Sequence, residues 1–172
     1  MSGSPFGYLS EINYIEWRIP AIPYKTYKGF FRPKNPKKYR GDPTKCIYRS
    51  LWERRVMTFC DENDSVLEWS SEEIIVPYRS PLDKRVHRYF VDFWMKVKNK
   101  EGLTETMLVE IKPKKQTIEP VLEDKKPTRK NMELARDWII NTAKWEAARE
   151  YCADRGWSFK ILTEDSIFGA KS

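Results

Sequence analysis

Asp92, Glu110 and Lys112 are the residues whose types and spacing suit chemistry. Asp92 interrupts the most hydrophobic stretch of the chain, "RYFVDFWMKV", where a charge is costly unless something compensates it. Glu110 and Lys112 stand two apart in "TMLVEIK". In an extended segment Met107, Val109 and Ile111 point one way and Leu108, Glu110 and Lys112 the other. The intervening "KNKEGLTE" reads as a hairpin turn with Gly102 in the left-handed position and Asn99 paired with Leu103. Counting back from that pair sets Asp92 opposite Glu110 on one face, and a one-residue slip would carry Glu110 across the sheet. Two carboxylates roughly 5 Å apart repel, so one stays protonated unless a cation sits between them. Oxygen ligands suit a hard divalent ion, Mg²⁺ or Mn²⁺. Lys112, one pleat further along, is placed to contact a metal-bound water or to hold a phosphate there, and a metal plus a lysine fits hydrolysis of a phosphodiester. The plainer reading of Glu110 and Lys112 is an exposed ion pair worth little. Asp92 is harder to dismiss, because central strands rarely carry acids.

The elements that must position these groups follow from the pattern around them. Ser50 and Glu53 have capping-box spacing ahead of Leu51, Val56, Phe59 and Cys60, which predicts an amphipathic helix of about three turns. Glu53 therefore reads equally as a capping residue and as a further acid reaching a metal. "SVLEWSSEEIIVPY" predicts one strand, or two separated near Ser70–Ser71. "RYFVDFWMKV" predicts one central strand covered on both faces, and "TMLVEIK" the next, ended by Pro113. A long helix follows through "KPTRKNMELARDWIINTAKWEAAREYCADRG", with Met132, Ala135, Trp138, Ile139, Trp145, Ala148 and Cys152 at helical spacing and Gly156 past its end. "WSFKILTED" predicts a last strand before a short helical tail. This order predicts an α/β sandwich around a mixed sheet.

Composition narrows the chemistry further. The 172 residues suffice for one domain with an appendage. His87 is the single histidine, which removes multi-histidine zinc sites, and the chain lacks the glycine-rich loops of nucleotide binding, so no nucleotide cofactor is expected. Cys46, Cys60 and Cys152 form no C-x-x-C pair and read as reduced thiols in a reducing compartment. No apolar run approaches the ~20 residues of a membrane helix, so no membrane partner is expected, and no signal peptide is evident. The net charge of +7 favours a polyanion. Ten Lys or Arg residues and one acid, Asp42, lie between Arg18 and Arg49, interleaved with aromatic residues and prolines. Residues 1–45 thus read as a basic, aromatic, Pro-rich arm, and residues 46–172 as the globular domain. The arm suits contact with nucleic acid or protein slightly better than packing on its own domain. Arg85 and Arg88 suit a surface position or phosphate contacts. Lys114 and Lys115 read as a basic edge, Lys144 as facing DNA or water, and His87 is left without a role.

The ordered set "SLWER", "HRYFVDF", "LVEIK", "NTAKWEAA" and "ILTE" resembles the PD-(D/E)xK nucleases, and within them the TnsA-like group and the head-completion nucleases of tailed phages. The likeness covers about residues 48–165. It implies a restriction-endonuclease-like fold, a central mixed sheet flanked by helices, and Mg²⁺-dependent endonuclease cutting of double-stranded DNA. Asp92 and Glu110 then match the metal ligands, Glu53 the helical acid and Lys112 the catalytic lysine. Val91 replaces the proline of the signature, a common departure. The likeness further implies work on packaged or terminal DNA after packaging, in the host cytoplasm during virion assembly or in association with the virion. Two alternatives stand beside it: a head or neck adaptor with little activity that docks portal or neck proteins through the arm, and a transposase-type endonuclease subunit. The chain has little room for the partner-binding domain that the latter calls for.

Overall fold

Most of the "TMLVEIK" segment lies in the longest strand among the described residues, and the core is laid down on its two faces. The computed structural model describes residues 26–121 and 128–169. In chain order these comprise β1 (Thr26–Phe30), β2 (Ile47–Ser50), α1 (Leu51–Glu62), β3 (Val66–Ser71), β4 (Ile75–Arg79), β5 (Val86–Phe90), β6 (Phe93–Lys98), β7 (Thr104–Ile111), α2 (Arg129–Ala153), β8 (Ser158–Leu162) and α3 (Glu164–Phe168). The central sheet has the order β3-β6-β7-β8. Its first two pairings are antiparallel, and β7–β8 is parallel. Two small antiparallel ribbons, β1–β2 and β4–β5, stand beside it.

Alternation along β7 sorts the two halves of the core. Met107, Val109 and Ile111 join Phe93 and Met95 of β6 in packing on Trp52, Val56, Met57 and Cys60 of α1 and on Ile167 of α3. Leu108, on the opposite face, meets Ala148 and Cys152 of α2 together with Val76, Tyr78, Tyr89 and Val91. The result is an α/β sandwich with a central mixed sheet flanked by helices, the restriction-endonuclease-like layering. All three cysteines are free thiols in these cores. Among the described residues, no helix is long and apolar enough to cross a membrane.

The β6–β7 turn forms as its chemistry requires. The Asn99 N–H donates to the Leu103 carbonyl at 2.8 Å, and Gly102 takes φ +79°, a left-handed conformation that suits glycine. The pairs run from Lys98–Thr104 to Phe93–Val109.

Three expectations need correction. "RYFVDFWMKV" is not one strand: it breaks at Val91–Asp92 into β5 and β6, which belong to different sheets. The cause is Asp92 itself, whose Oδ2 accepts the Ile111 N–H at 2.7 Å and so ends the backbone ladder with a side-chain bond. The partner strand bends alongside. Glu72 takes φ +55° between β3 and β4, its N–H donates to the Asp92 carbonyl, and the Val91 N–H donates to the Ile74 carbonyl. Second, the long helix forms as expected, but helical spacing does not mean burial. Helix α2 buries Trp145, Ala148 and Cys152, while Met132 and Ile139 remain 54% and 42% exposed, because only the C-terminal half of the helix reaches the sheet. Third, the arm from about residue 31 to 45 packs on its own domain. Tyr39 is buried with its ring centroid 4.7 Å from that of Trp69, and the Arg40 N–H donates to the Trp69 carbonyl. The buried Asp61 carboxylate accepts the backbone N–H groups of Lys34 and Asn35, and Lys38 Nζ donates to the carbonyls of Asp61 and Asn63. The stretch from Arg18 to Tyr24, and the segment around "YLSEINYIEW", lie outside the described residues.

Candidate active site

One step beyond the Phe93–Val109 pair, the register sets Asp92 across from Glu110. Glu110 is only 4% exposed, at the end of β7 that faces α2. Both of its oxygens are held: Oε2 accepts the Tyr89 hydroxyl at 2.7 Å, and Oε1 lies 3.0 Å from Lys112 Nζ. The Lys112 side chain retains 25% of its exposure, so the pair opens toward solvent through the lysine. Burial, and next the Glu110 charge, push the Asp92 carboxyl well above the usual carboxylate range, against the Ile111 N–H and Lys112, which pull it down. A crowded acid pair in a low-dielectric setting is short of positive charge.

Glu53 approaches this centre without joining it. Its N–H donates to the Ser50 hydroxyl, the hydroxyl donates back to Oε1 at 3.0 Å, and Oε2 accepts the Arg49 N–H at 2.8 Å. The Ser50 N-cap is therefore formed, but Glu53 returns its bond to the Arg49 N–H, one residue ahead of the cap, rather than to the Ser50 N–H of a full capping box. Burial is the main cause that raises the Glu53 carboxyl, with Glu72 adding to it, and Glu53 in turn raises Asp92. Among the described residues, no three acid, histidine or cysteine side chains converge as a ready metal site. Asp92 and Glu110 have the oxygen donors and the deficit of positive charge that fit a hard divalent ion. Glu53 would have to leave its cap to add a third ligand.

The remaining candidates divide. Lys144 of α2 lies against two tyrosines, its Nζ 5.7 Å and 5.6 Å from the ring centroids of Tyr78 and Tyr89, the second of which bonds Glu110. Arg85 and Arg88 are exposed on the β4–β5 ribbon, with Arg88 over the Phe90 ring. His87, beside them, contacts Asp83 at 2.8 Å. Lys114 is tied to Asp165 at 2.7 Å, and Lys115 is exposed.

Two features escaped the sequence reading. Tyr89, which looks like one more core aromatic, aims its hydroxyl at Glu110. Burial and the Glu110 charge raise its phenol far above the ordinary value, so it stays a donor. Glu72 pairs with Arg49 through two bonds of 2.9 and 2.8 Å beside Glu53. Its left-handed backbone, unusual for a glutamate, has no sequence signal. Tyr89→Phe is expected to lower the stability of the metal-free protein by about 1.5–3 kcal/mol, the range for a lost hydrogen bond to a charged group. Thermal melts in chelator would show it, and an unchanged midpoint would remove Tyr89 from this role.

A mixed sheet broken at an aspartate, with an acid and a lysine on the facing strand, defines a restriction-endonuclease-like nuclease domain. The family model described as "TnsA-like endonuclease N terminal" matches residues 63–164, a span that contains Asp92, Glu110, Lys112 and Lys144. The chain belongs to this TnsA-like endonuclease family and is an enzyme of the nuclease class. It is 40% identical over 144 residues to the head completion nuclease of Enterobacteria phage T4, an alignment that covers 82% of this chain and 93% of the relative.

Proposed function

We propose that this protein is a divalent-metal-dependent endonuclease that hydrolyses phosphodiester bonds of double-stranded DNA, and that it acts on packaged or terminal DNA as a phage head is completed in the host cytoplasm. The observation that carries the reading is the Asp92–Glu110 pair with Lys112 on Glu110. Asp92 and Glu110 would hold Mg²⁺ or Mn²⁺, with Glu53 as the further acid. The ion supplies charge that polarises the phosphodiester and acidifies a nearby water.

The protein's own groups do the rest. Tyr89 and Lys112 fix the Glu110 carboxylate from both oxygens, which removes a rotamer search from each turnover. Lys112 Nζ, on the open side of the centre, is placed to donate to a phosphate oxygen as negative charge builds there. Arg85, Arg88 and Lys115 are exposed cations suited to the flanking phosphates. Lys114 contributes less, because Asp165 already neutralises it. The head-completion role rests on the T4 relative.

Supercoiled and linear duplex DNA incubated with the purified protein in Mg²⁺, in Mn²⁺ and with a chelator tests this reading, beside Lys112→Met. Cutting is expected with either metal and not with the chelator. Lys112→Met should be slower by at least about 100-fold, the cost of losing one donor aimed at developing charge. A folded wild type that cuts no DNA overturns the enzymatic reading in favour of an adaptor. Equal cutting by the variant overturns the role of Lys112.

A further inference from the structure

Lys144 of α2 lies beside the candidate centre, and its setting differs from that of a surface lysine. Trp145 and Ala148 beside it on the helix are buried, so the backbone that carries Lys144 is pinned to the sheet. The side chain is half-buried, and its ammonium lies over the rings of Tyr78 and Tyr89. Tyr89 in turn donates to Glu110, so one tyrosine touches both the Lys144 ammonium and the acid pair.

Lys144 has no acid within ion-pair distance, as is true also of the half-buried Lys160 among the described residues. What sets Lys144 apart is the position of its ammonium over the Tyr89 ring, whose hydroxyl bonds Glu110. Aromatic faces attract a cation without neutralising it. Burial, and then Lys112, lower the ammonium's hold on its proton, against the weaker pull of Glu110, Asp92 and Asp137. A half-buried cation without an acid partner costs free energy in the resting protein. Once a divalent ion occupies Asp92 and Glu110, their attraction for Lys144 is spent and the centre lacks an anion. The substrate supplies one.

We propose that Lys144 is a second catalytic cation, contacting the scissile phosphodiester from α2 while Lys112 contacts it from β7. This rests on the nuclease reading above. Lys144 stabilises charge on a non-bridging oxygen and transfers no proton, and the hydrolysis itself adds water across one P–O bond. The alternatives are a groove contact with a flanking phosphate and a packing role for the side-chain stem over the tyrosines.

Three measurements on wild type, Lys144→Met, Lys144→Arg and the exposed-helix control Lys130→Met separate these roles. They are the single-turnover cutting rate at saturating duplex in Mg²⁺, duplex affinity in Ca²⁺, and the thermal midpoint in chelator. For Lys144→Met the expected rate loss is about 100-fold or more, with affinity changed by less than about tenfold. Its metal-free midpoint should equal or exceed that of the wild type, because a half-buried cation without an acid partner has been removed. Lys144→Arg should recover part of the rate, and Lys130→Met should match the wild type throughout. An unchanged saturating rate with weakened affinity would make Lys144 a groove contact and overturn the proposal. A lowered midpoint or failure to fold in Lys144→Met would make it a packing residue and overturn it as well. If the wild type does not cut, the nuclease reading falls first and this inference with it.

Discussion

Asp92→Asn is expected to abolish cutting and at the same time to make the metal-free protein more stable. The amide keeps an oxygen in place to accept the Ile111 N–H, so the break between β5 and β6 survives. What disappears is the charge. Cutting should fall by at least about 1,000-fold, the scale for removing a principal electrostatic element of a hydrolytic site. The stability gain follows from the raised Asp92 carboxyl, whose causes are burial and the Glu110 charge. An ordinary aspartate loses its proton near pH 3.9. Between that value and the raised one, the folded protein holds a proton that the unfolded chain has lost. The wild type is therefore penalised progressively as pH climbs through this window, and its contribution is most favourable in acid below the unfolded value. The amide of the variant does not titrate, so the two proteins should diverge as pH rises, the variant melting higher by roughly 2–4 °C for each kcal/mol relieved. Mg²⁺ should reverse the order, because an ion bound to the native wild type stabilises it and the variant binds the ion poorly. Melts from pH 4 to pH 8, with chelator and with Mg²⁺, would test this. A variant that melts below the wild type at pH 8 in chelator would show that the acid pair is already compensated within the protein.

That the pair was legible at all comes from the turn. Asn99, Gly102 and Leu103 fix the hairpin register, and a register fixed at one end of a ladder fixes its other end, where Glu110 stands. Alternation then put Lys112 beside Glu110 without further information. The N-cap was equally local: Ser50 and Glu53 are three residues apart, and the Glu53 N–H donates to the Ser50 hydroxyl as their types demand, though the Glu53 carboxylate reaches the Arg49 N–H instead of that of Ser50.

What did not read through depends on partners distant in sequence. The chain around Asp92 looks like unbroken strand because Phe90, Val91, Phe93 and Trp94 all favour one. Only the approach of Ile111 gives the carboxylate an N–H to take and ends the ladder. Tyr89 has the same apolar neighbours whether its hydroxyl meets water or Glu110. Met132 and Ile139 keep helical spacing with Trp145, but periodicity does not say where the sheet stops. The stretch from Phe31 to Lys45 is rich in cations and aromatics, as a nucleic-acid arm would be. Asp61 and Trp69, well beyond it in the chain, turn it inward. The family resemblance covers about residues 48–165 and carried nothing about this segment.

Trp69 is where that inward turn has its largest energetic consequence, and Trp69→Ala should be the most destabilising single change on this side of the sheet. The side chain is 0% exposed. Its ring lies 4.7 Å from Tyr39, 5.8 Å from Phe31 and 6.4 Å from Phe93, centroid to centroid, so it joins the 31–45 segment to β6. Its carbonyl also accepts the Arg40 N–H at 2.8 Å. Truncation removes the apolar burial and leaves a cavity between layers that cannot both close on it, at a cost of about 3–5 kcal/mol. Against the roughly 5–15 kcal/mol that holds a domain together, this is a large share, and the melting temperature should fall by on the order of 10 °C. Trp69→Phe separates packing from mere occupancy. The indole N–H is buried without a hydrogen-bond partner, so phenylalanine deletes an unsatisfied donor while keeping most of the ring, and the loss should be well under half that of alanine. Limited proteolysis adds a local readout. If Trp69 anchors the segment, the alanine variant should be cut between Arg32 and Lys45 at temperatures where the wild type and Trp69→Phe are not. A Trp69→Ala protein that melts lower yet resists cleavage there would show that Asp61 alone, through its two backbone N–H bonds, is enough to hold the segment on the domain.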